Sequence, residues 1–272
     1  MVVVAHPGDE AFGFGGAIAR AAAAGAYVVV VCATRGAFDA RLSRKSPAPG
    51  GKNRDPKYDA VVWRNLDTVR EDELRRSVAL LGVRVLRMLD YAEGDLSDID
   101  FEQLVSRIVE PIRMHRPEVI LTFGPDGVTG DPDHVVLSRA VSEAFLAAGR
   151  PLAYEDDIEE DQVAWRAAKL YQLVVPSSQV ASTELSPLTD GYGSADDAAT
   201  LTLELGELAE LKLAAIGRHV TQTGSAGAFS GWSAGARDHY LATESYRLAR
   251  SNLPVPAGAP RAPESDLFDG LA

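Results

Sequence analysis

The chain has 272 residues, 24% of them charged, and a formal net charge of -12. That length can bury a sizeable core as one α/β domain or two small ones, and the acidic excess argues against a nucleic-acid or anionic-membrane partner. The single cysteine, Cys32, excludes an internal disulfide framework, and the longest apolar stretch, near 21–33, is too short to span a bilayer.

Val2 to Ala5 is a short β-branched run that reads as a buried central strand. It stops at His6-Pro7-Gly8-Asp9-Glu10. Pro7 cannot donate to a sheet ladder and Gly8 permits a sharp turn. Asp9 and Glu10 stand where a helix begins, the end that favours negative charge. A histidine and an aspartate three residues apart thus project from the carboxyl end of a strand, where open α/β sheets bind ligands. Together they are half of a divalent-metal site.

Glu10 to Gly25 reads as a helix that Gly25 ends, and Tyr27 to Ala33 as the second strand, with Cys32 a buried structural thiol. Neither a dinucleotide fingerprint nor a phosphate loop occurs. The segment 37–59 is rich in Pro and Gly and carries Arg41, Arg44, Lys45, Lys52, Arg54 and Lys57. It is either a lid over an anionic substrate or a solvated insertion. Val61 to Leu81 is helical by pattern and holds Arg70, which could pair with Glu71 or Glu73 on its own surface. Val83 to Leu89 is a strand, and Glu93 stands in the loop after it. Ser97 or Asp98 caps a helix to about His115, a position the helix dipole favours for a cation. Glu118 to Phe123 is the next strand.

That strand runs into Gly124-Pro125-Asp126-Gly127-Val128-Thr129-Gly130-Asp131-Pro132-Asp133-His134, a second strand end with a histidine at a helix start. The helix runs to Ala148. Lys169 to Val175 reads as a strand and 180–199 as irregular. Leu203 to His219 and His239 to Arg250 read as helices, and 254–263 as an extended tail. The strand–helix alternation demands a parallel sheet with right-handed crossovers. The expected fold is α/β and Rossmann-like, with helices on both faces of a mostly parallel sheet. It is expected as one domain over 1–272: a core at 1–150, strands and helices completing the site at 151–253, and a tail at 254–272.

His6-Pro7-x-Asp9-Glu10 together with Gly-Val-Thr-Gly-x-Pro-Asp-His resembles the LmbE/PIG-L family of metal-dependent N-deacetylases and amidases, of which the mycothiol-pathway deacetylases are one branch. Thr34-Arg35-Gly36, Arg70 before Glu73-Leu74, Lys169-Leu170-Tyr171, His219 with Gln222, and Glu264 to Leu271 extend the resemblance over nearly the whole chain. It implies that His6, Asp9 and His134 hold one Zn2+, although other divalent ions suit two imidazoles and a carboxylate. It also implies that Arg70, Glu93, Thr129 and His219 meet a polar, hydroxyl-rich small molecule such as a sugar conjugate. For His219 a place on the helix surface is equally open.

The chain departs from the family pattern at two positions. The family's first motif has an aspartate, the general base, where this chain has Gly8. Its second motif opens with a histidine where this chain has Asp131. Losing a general acid–base group typically costs about 10²- to 10⁴-fold. Asp131, Glu10 or a group of the substrate could take over the base role. Asp131 could instead orient His134, and Glu10 could simply cap its helix. Two readings follow: a zinc hydrolase acting on an acylated amino sugar or related amide, or a relative that binds metal and ligand without turnover. The start of the chain lacks the basic segment of a secretory signal, so the cytoplasm is the default location. The arginine- and alanine-rich composition is associated with bacterial genomes. A homo-oligomer is compatible with the sequence.

Overall fold

A computed structural model describes residues 1–36, 65–128, 130–154, 162–177, 194–195, 197–223, 229, 233–254 and 264–271. The basic segment 37–59, Thr129 and most of 180–199 and 254–263 therefore lie outside the described residues.

Among the described residues the strands are β1 (Val2–Val4), β2 (Val29–Thr34), β3 (Val85–Tyr91), β4 (Val119–Phe123), β5 (Lys169–Val174), β6 (Leu201–Glu204) and β7 (Thr243–Ser251). The helices are α1 (Asp9–Ala23), α2 (Leu66–Leu80), α3 (Phe101–His115), α4 (Pro132–Ala147), α5 (Leu208–Ile216), α6 (Val220–Thr223) and α7 (Ala234–Ala242). The strands form one seven-stranded sheet in the order β3-β2-β1-β4-β5-β7-β6. The strands from β3 to β5 are mutually parallel, while β7 is antiparallel to both β5 and β6. The expected mostly parallel α/β sheet is what the chain forms.

The order explains where a site can exist. From β1 the chain winds outward through β2 to β3, then returns to lay β4 on the other side of β1. The loops after β1 and β4 leave the sheet on opposite faces and part at its carboxyl end. This is the switch point at which open α/β sheets bind ligands. Both motifs found in the sequence occupy it. The strands around it are buried on both faces, as continuous Val/Ile/Leu runs require: β1, β2, β4 and β5 have no exposed residue.

The helix stops in the first half follow local chemistry. Gly25 adopts φ +84° just past α1, and the Asp100 side chain accepts from Gln103 N at the start of α3. The cap of α3 is thus Asp100, not Ser97 or Asp98, because residues 96–98 form their own 3₁₀ turn. Two expectations in the second half fail. Leu203 to His219 is not one helix. Leu201-Thr202-Leu203-Glu204 alternates buried and exposed and pairs as β6. Likewise His239 to Arg250 is α7 followed by β7, since residues 243–251 hydrogen-bond to strands on both sides. Sheet pairing has overridden a helix-like spacing of apolar residues.

The late strands are tied to α1 by a buried ionic knot. Both Glu244 carboxylate oxygens accept main-chain N–H groups of α1, Gly16 at 2.7 Å and Ala17 at 2.8 Å. The same carboxylate meets Lys212 Nζ at 2.8 Å and accepts from the Tyr246 hydroxyl at 2.7 Å. Gly16 permits the close approach, because a Cβ there would collide with the end of Leu205. A second buried pair, Lys169 with Glu264 at 2.8 Å, fixes the C-terminal segment against β5. No helix among the described residues is long and apolar enough to cross a membrane.

Removing one partner of such a pair strands the other charge in the interior. Lys212→Met is expected to lower unfolding free energy by about 3–5 kcal/mol, read from urea denaturation. The double variant Lys212→Met/Glu244→Gln should recover a substantial part of that loss.

Candidate metal centre

His6 and Asp9 come from the turn between β1 and α1. His134 comes from the first turn of α4, after the loop that follows β4. His6 Nδ1 lies 3.2 Å from His134 Nε2. Asp9 Oδ2 lies 3.6 Å from His6 Nδ1 and 3.3 Å from His134 Nε2. Ligands about 2.0–2.1 Å from one tetrahedral ion stand roughly 3.3–3.4 Å apart. The three atoms converge at that spacing, so the donor set fits a single divalent ion. An Asp131 carboxylate oxygen also falls within 4.8 Å of nitrogens of His6 and His134.

The remaining ring nitrogens are engaged in the way metal-binding histidines require. His6 Nε2 meets Asp133 Oδ2 at 3.0 Å. His134 Nδ1 lies 3.1 Å from the Gly127 carbonyl, and its ring stacks on Phe123 with centroids 4.0 Å apart. Asp133 is itself held, accepting Gly94 N at 2.7 Å and Leu96 N at 3.1 Å. The loop after β3 thereby fixes a histidine on the loop after β1.

The electrostatics favour a cation. Burial opposes charge on His6, yet Asp133 and Asp9 outweigh it and raise its pKa to about 9. Burial likewise opposes charge on His134, and Asp9 outweighs it, so that pKa also rises. Burial would raise the carboxyls of Asp9 and Asp133. The two histidines prevail at Asp9, and His6 with the Gly94 N–H prevails at Asp133, so both are lowered. The carboxylates that favour protons on these imidazoles also attract a metal cation, which must displace those protons to bind.

Two residues expected at the reaction centre serve elsewhere. Glu10 was a candidate base, but it has no solvent exposure. One oxygen accepts Gly8 N at 2.8 Å, and the other meets Ser77 Oγ and His219 Nε2, each at 2.6 Å. His219, expected to meet substrate, is equally buried in that contact. Together they clamp the turn that carries His6 and Asp9. Arg70 and Glu93, each expected to meet substrate, bind each other. Arg70 donates to Glu93 Oε2 at 2.8 Å and to the Gly36 carbonyl at 2.7 Å. Its partner is therefore neither Glu71 nor Glu73. Thr129 lies outside the described residues.

Asp131 is the N-cap of α4. Its Oδ1 accepts Asp133 N at 2.8 Å and His134 N at 3.4 Å. It does not orient the His134 ring, a task the Gly127 carbonyl performs. Asp133 and Ser77 are the functional residues that sequence reasoning missed. Asp133 had a local signal, a carboxylate immediately before a histidine of the second motif. Ser77 had none, since its partner lies on another element.

Asp133→Asn should leave the fold intact and weaken metal binding about 10- to 100-fold, measured by competition with a chromogenic chelator. His134→Ala should abolish stoichiometric binding.

A family model described as "GlcNAc-PI de-N-acetylase", PIG-L, matches residues 1–145. A 1D-myo-inositol 2-acetamido-2-deoxy-alpha-D-glucopyranoside deacetylase of Streptomyces griseus is 30% identical over all of this chain and 88% of its own length. Among solved structures, the N,N'-diacetylchitobiose deacetylase of Pyrococcus horikoshii superimposes with a TM-score of 0.67 at 18% identity, covering 91% of this chain and 82% of that one. The 4-carboxy-2-hydroxymuconate hydratase GalB of Pseudomonas putida does so with a TM-score of 0.62 at 17% identity, covering 93% and 97%. Those two structural likenesses carry the fold alone, and the second shows that the fold also serves a different chemistry. With the family model spanning more than half of the chain and a full-length relative at 30% identity, the chain belongs to the PIG-L family.

Proposed function

We propose that this hydrolase of the N-deacetylase type removes the acyl group from a small acylated amino-sugar conjugate, using Zn2+ held by His6, Asp9 and His134, with Asp131 as general base. The reading rests on one observation above the others: the three ligand atoms converge at tetrahedral spacing while an Asp131 carboxylate oxygen stands beside them.

A zinc ion in such a site lowers the pKa of water and polarises an amide carbonyl. The chain's own residues supply the rest. Asp131 Oδ1 is occupied by the first N–H groups of α4, which hold the carboxylate in place. Its other oxygen receives the proton of the attacking water. That proton passes to the departing nitrogen as the C–N bond breaks, so water and amide become carboxylate and amine. Arg70 and Glu93 present a paired cation and anion to the hydroxyls of the sugar. The work is placed in the cytoplasm, with the small molecule as partner.

A second reading is favoured by Gly8, which has no side chain beside the metal turn: a relative that binds metal and ligand without turnover. Metal content and release of acetate from N-acetylglucosaminyl-inositol and related conjugates decide between them. The hydrolytic reading expects one zinc per chain and measurable turnover. Asp131→Asn should then lower kcat about 10²- to 10⁴-fold with metal content unchanged. A zinc-loaded chain inert on all such amides supports the second reading, and a chain that takes up no metal sinks both.

A further inference from the structure

Gly8 has φ +108°, a region that L side chains rarely adopt. A Cβ built there would collide with Gln222 Oε1 and lie 2.9 Å from Gln222 Cδ and 3.1 Å from Nε2. The end of the Gln222 side chain therefore fills the space in which a residue-8 side chain would begin. It is anchored there, since Gln222 Nε2 donates to the Pro7 carbonyl of the same turn. The short helix α6 that delivers it is pinned as well: Glu73 accepts Thr221 N at 2.9 Å and Thr221 Oγ1 at 2.6 Å. Gln222 Oε1 accepts no hydrogen bond from a described residue, and the side chain is half-buried.

We infer that Gly8 and Gln222 are one unit. Glycine at position 8 admits the carboxamide, and the carboxamide takes the place of a residue-8 side chain beside the turn that bears His6 and Asp9. In the proposed reaction, on which this inference rests, Gln222 is a positioning residue whose Oε1, with no donor among the described residues, accepts a hydrogen bond from a substrate N–H or hydroxyl. A carboxamide does not take up a proton near neutral pH, so the base role is left to Asp131. Restoring a side chain at position 8 alone would meet both the positive φ and the glutamine.

The test combines stability and kinetics on the zinc-loaded chain. Gly8→Ala should lower Tm in the parent and in Gln222→Ala, since the backbone strain is common to both. The drop should be smaller in the Gln222→Ala background by about 2–4 °C or more, the mark of coupled neighbours in a chain of this size. Gln222→Ala should raise KM for an N-acetylglucosamine conjugate about tenfold with kcat and zinc content little changed, as expected when binding common to ground and transition states is lost. Gln222→Glu, of the same shape, puts a proton acceptor in that place. In an Asp131→Asn background it should recover turnover about tenfold. Equal Tm drops in the two backgrounds overturn the inference, as does a Gln222→Glu/Asp131→Asn protein no more active than Asp131→Asn. A parent inert on every amide sinks the hydrolytic reading instead. In that case unequal Tm drops still establish the unit, and equal ones still overturn it.

Discussion

The buried carboxylate of Glu10 holds the site together. It ties the main chain of Gly8, the hydroxyl of Ser77 on α2 and the imidazole of His219 into one contact with no solvent access. Low local dielectric strengthens these hydrogen bonds and makes any unpaired member costly. The turn 6–10 consequently has one shape, and that shape aims His6 Nδ1 and Asp9 Oδ2 at a common point. A metal site assembled from a loose turn would have to order it on binding. Here the ordering is done by residues that never touch the ion.

A similar logic runs through the opposite wall. Asp133 faces His6 but is itself gripped by two main-chain N–H groups of the loop after β3. The Gly127 carbonyl and the Phe123 ring fix His134. Each ligand has a partner that sets its orientation, and the partners come from different strand ends meeting at the switch point. The parallel order of β3, β2, β1 and β4 places them there, so the chemistry follows from the winding of the sheet.

Much of this was legible in the sequence because strong local signals coincide with the tertiary answer. Val2 to Ala5 and Ile120 to Phe123 are uninterrupted apolar runs cut off by Pro and Gly, and each releases its ligands at a strand end. The late strands were not legible. Thr243 to Ser251 carries Glu244, Arg247 and Arg250 at helix-like intervals, and only its pairing with β5 and β6 makes it extended. Leu201 to Glu204 is too short for its alternation to outweigh the helix that follows. Within the site, the convergence of His6, Asp9 and His134 was readable and the supporting cast was not. Glu10 and His219 looked available for chemistry because burial and partnership are properties of three dimensions. Gly8 looked like a simple loss, whereas the glutamine that fills its space arrives from the far end of the chain.

The contact between Glu10 and His219 spans 209 positions. All three proposed ligands, and the segment matched by the family model, lie in the first 145 residues, yet the clamp on the first turn is closed from beyond them. During synthesis both metal motifs leave the ribosome well before the histidine that stiffens the first of them. A chain cut short after α4 would carry every proposed ligand and still lack the histidine that clamps the first turn. The shape of the turn that bears His6 and Asp9 thus depends on a residue made long after it, which separates the order of synthesis from the order of assembly.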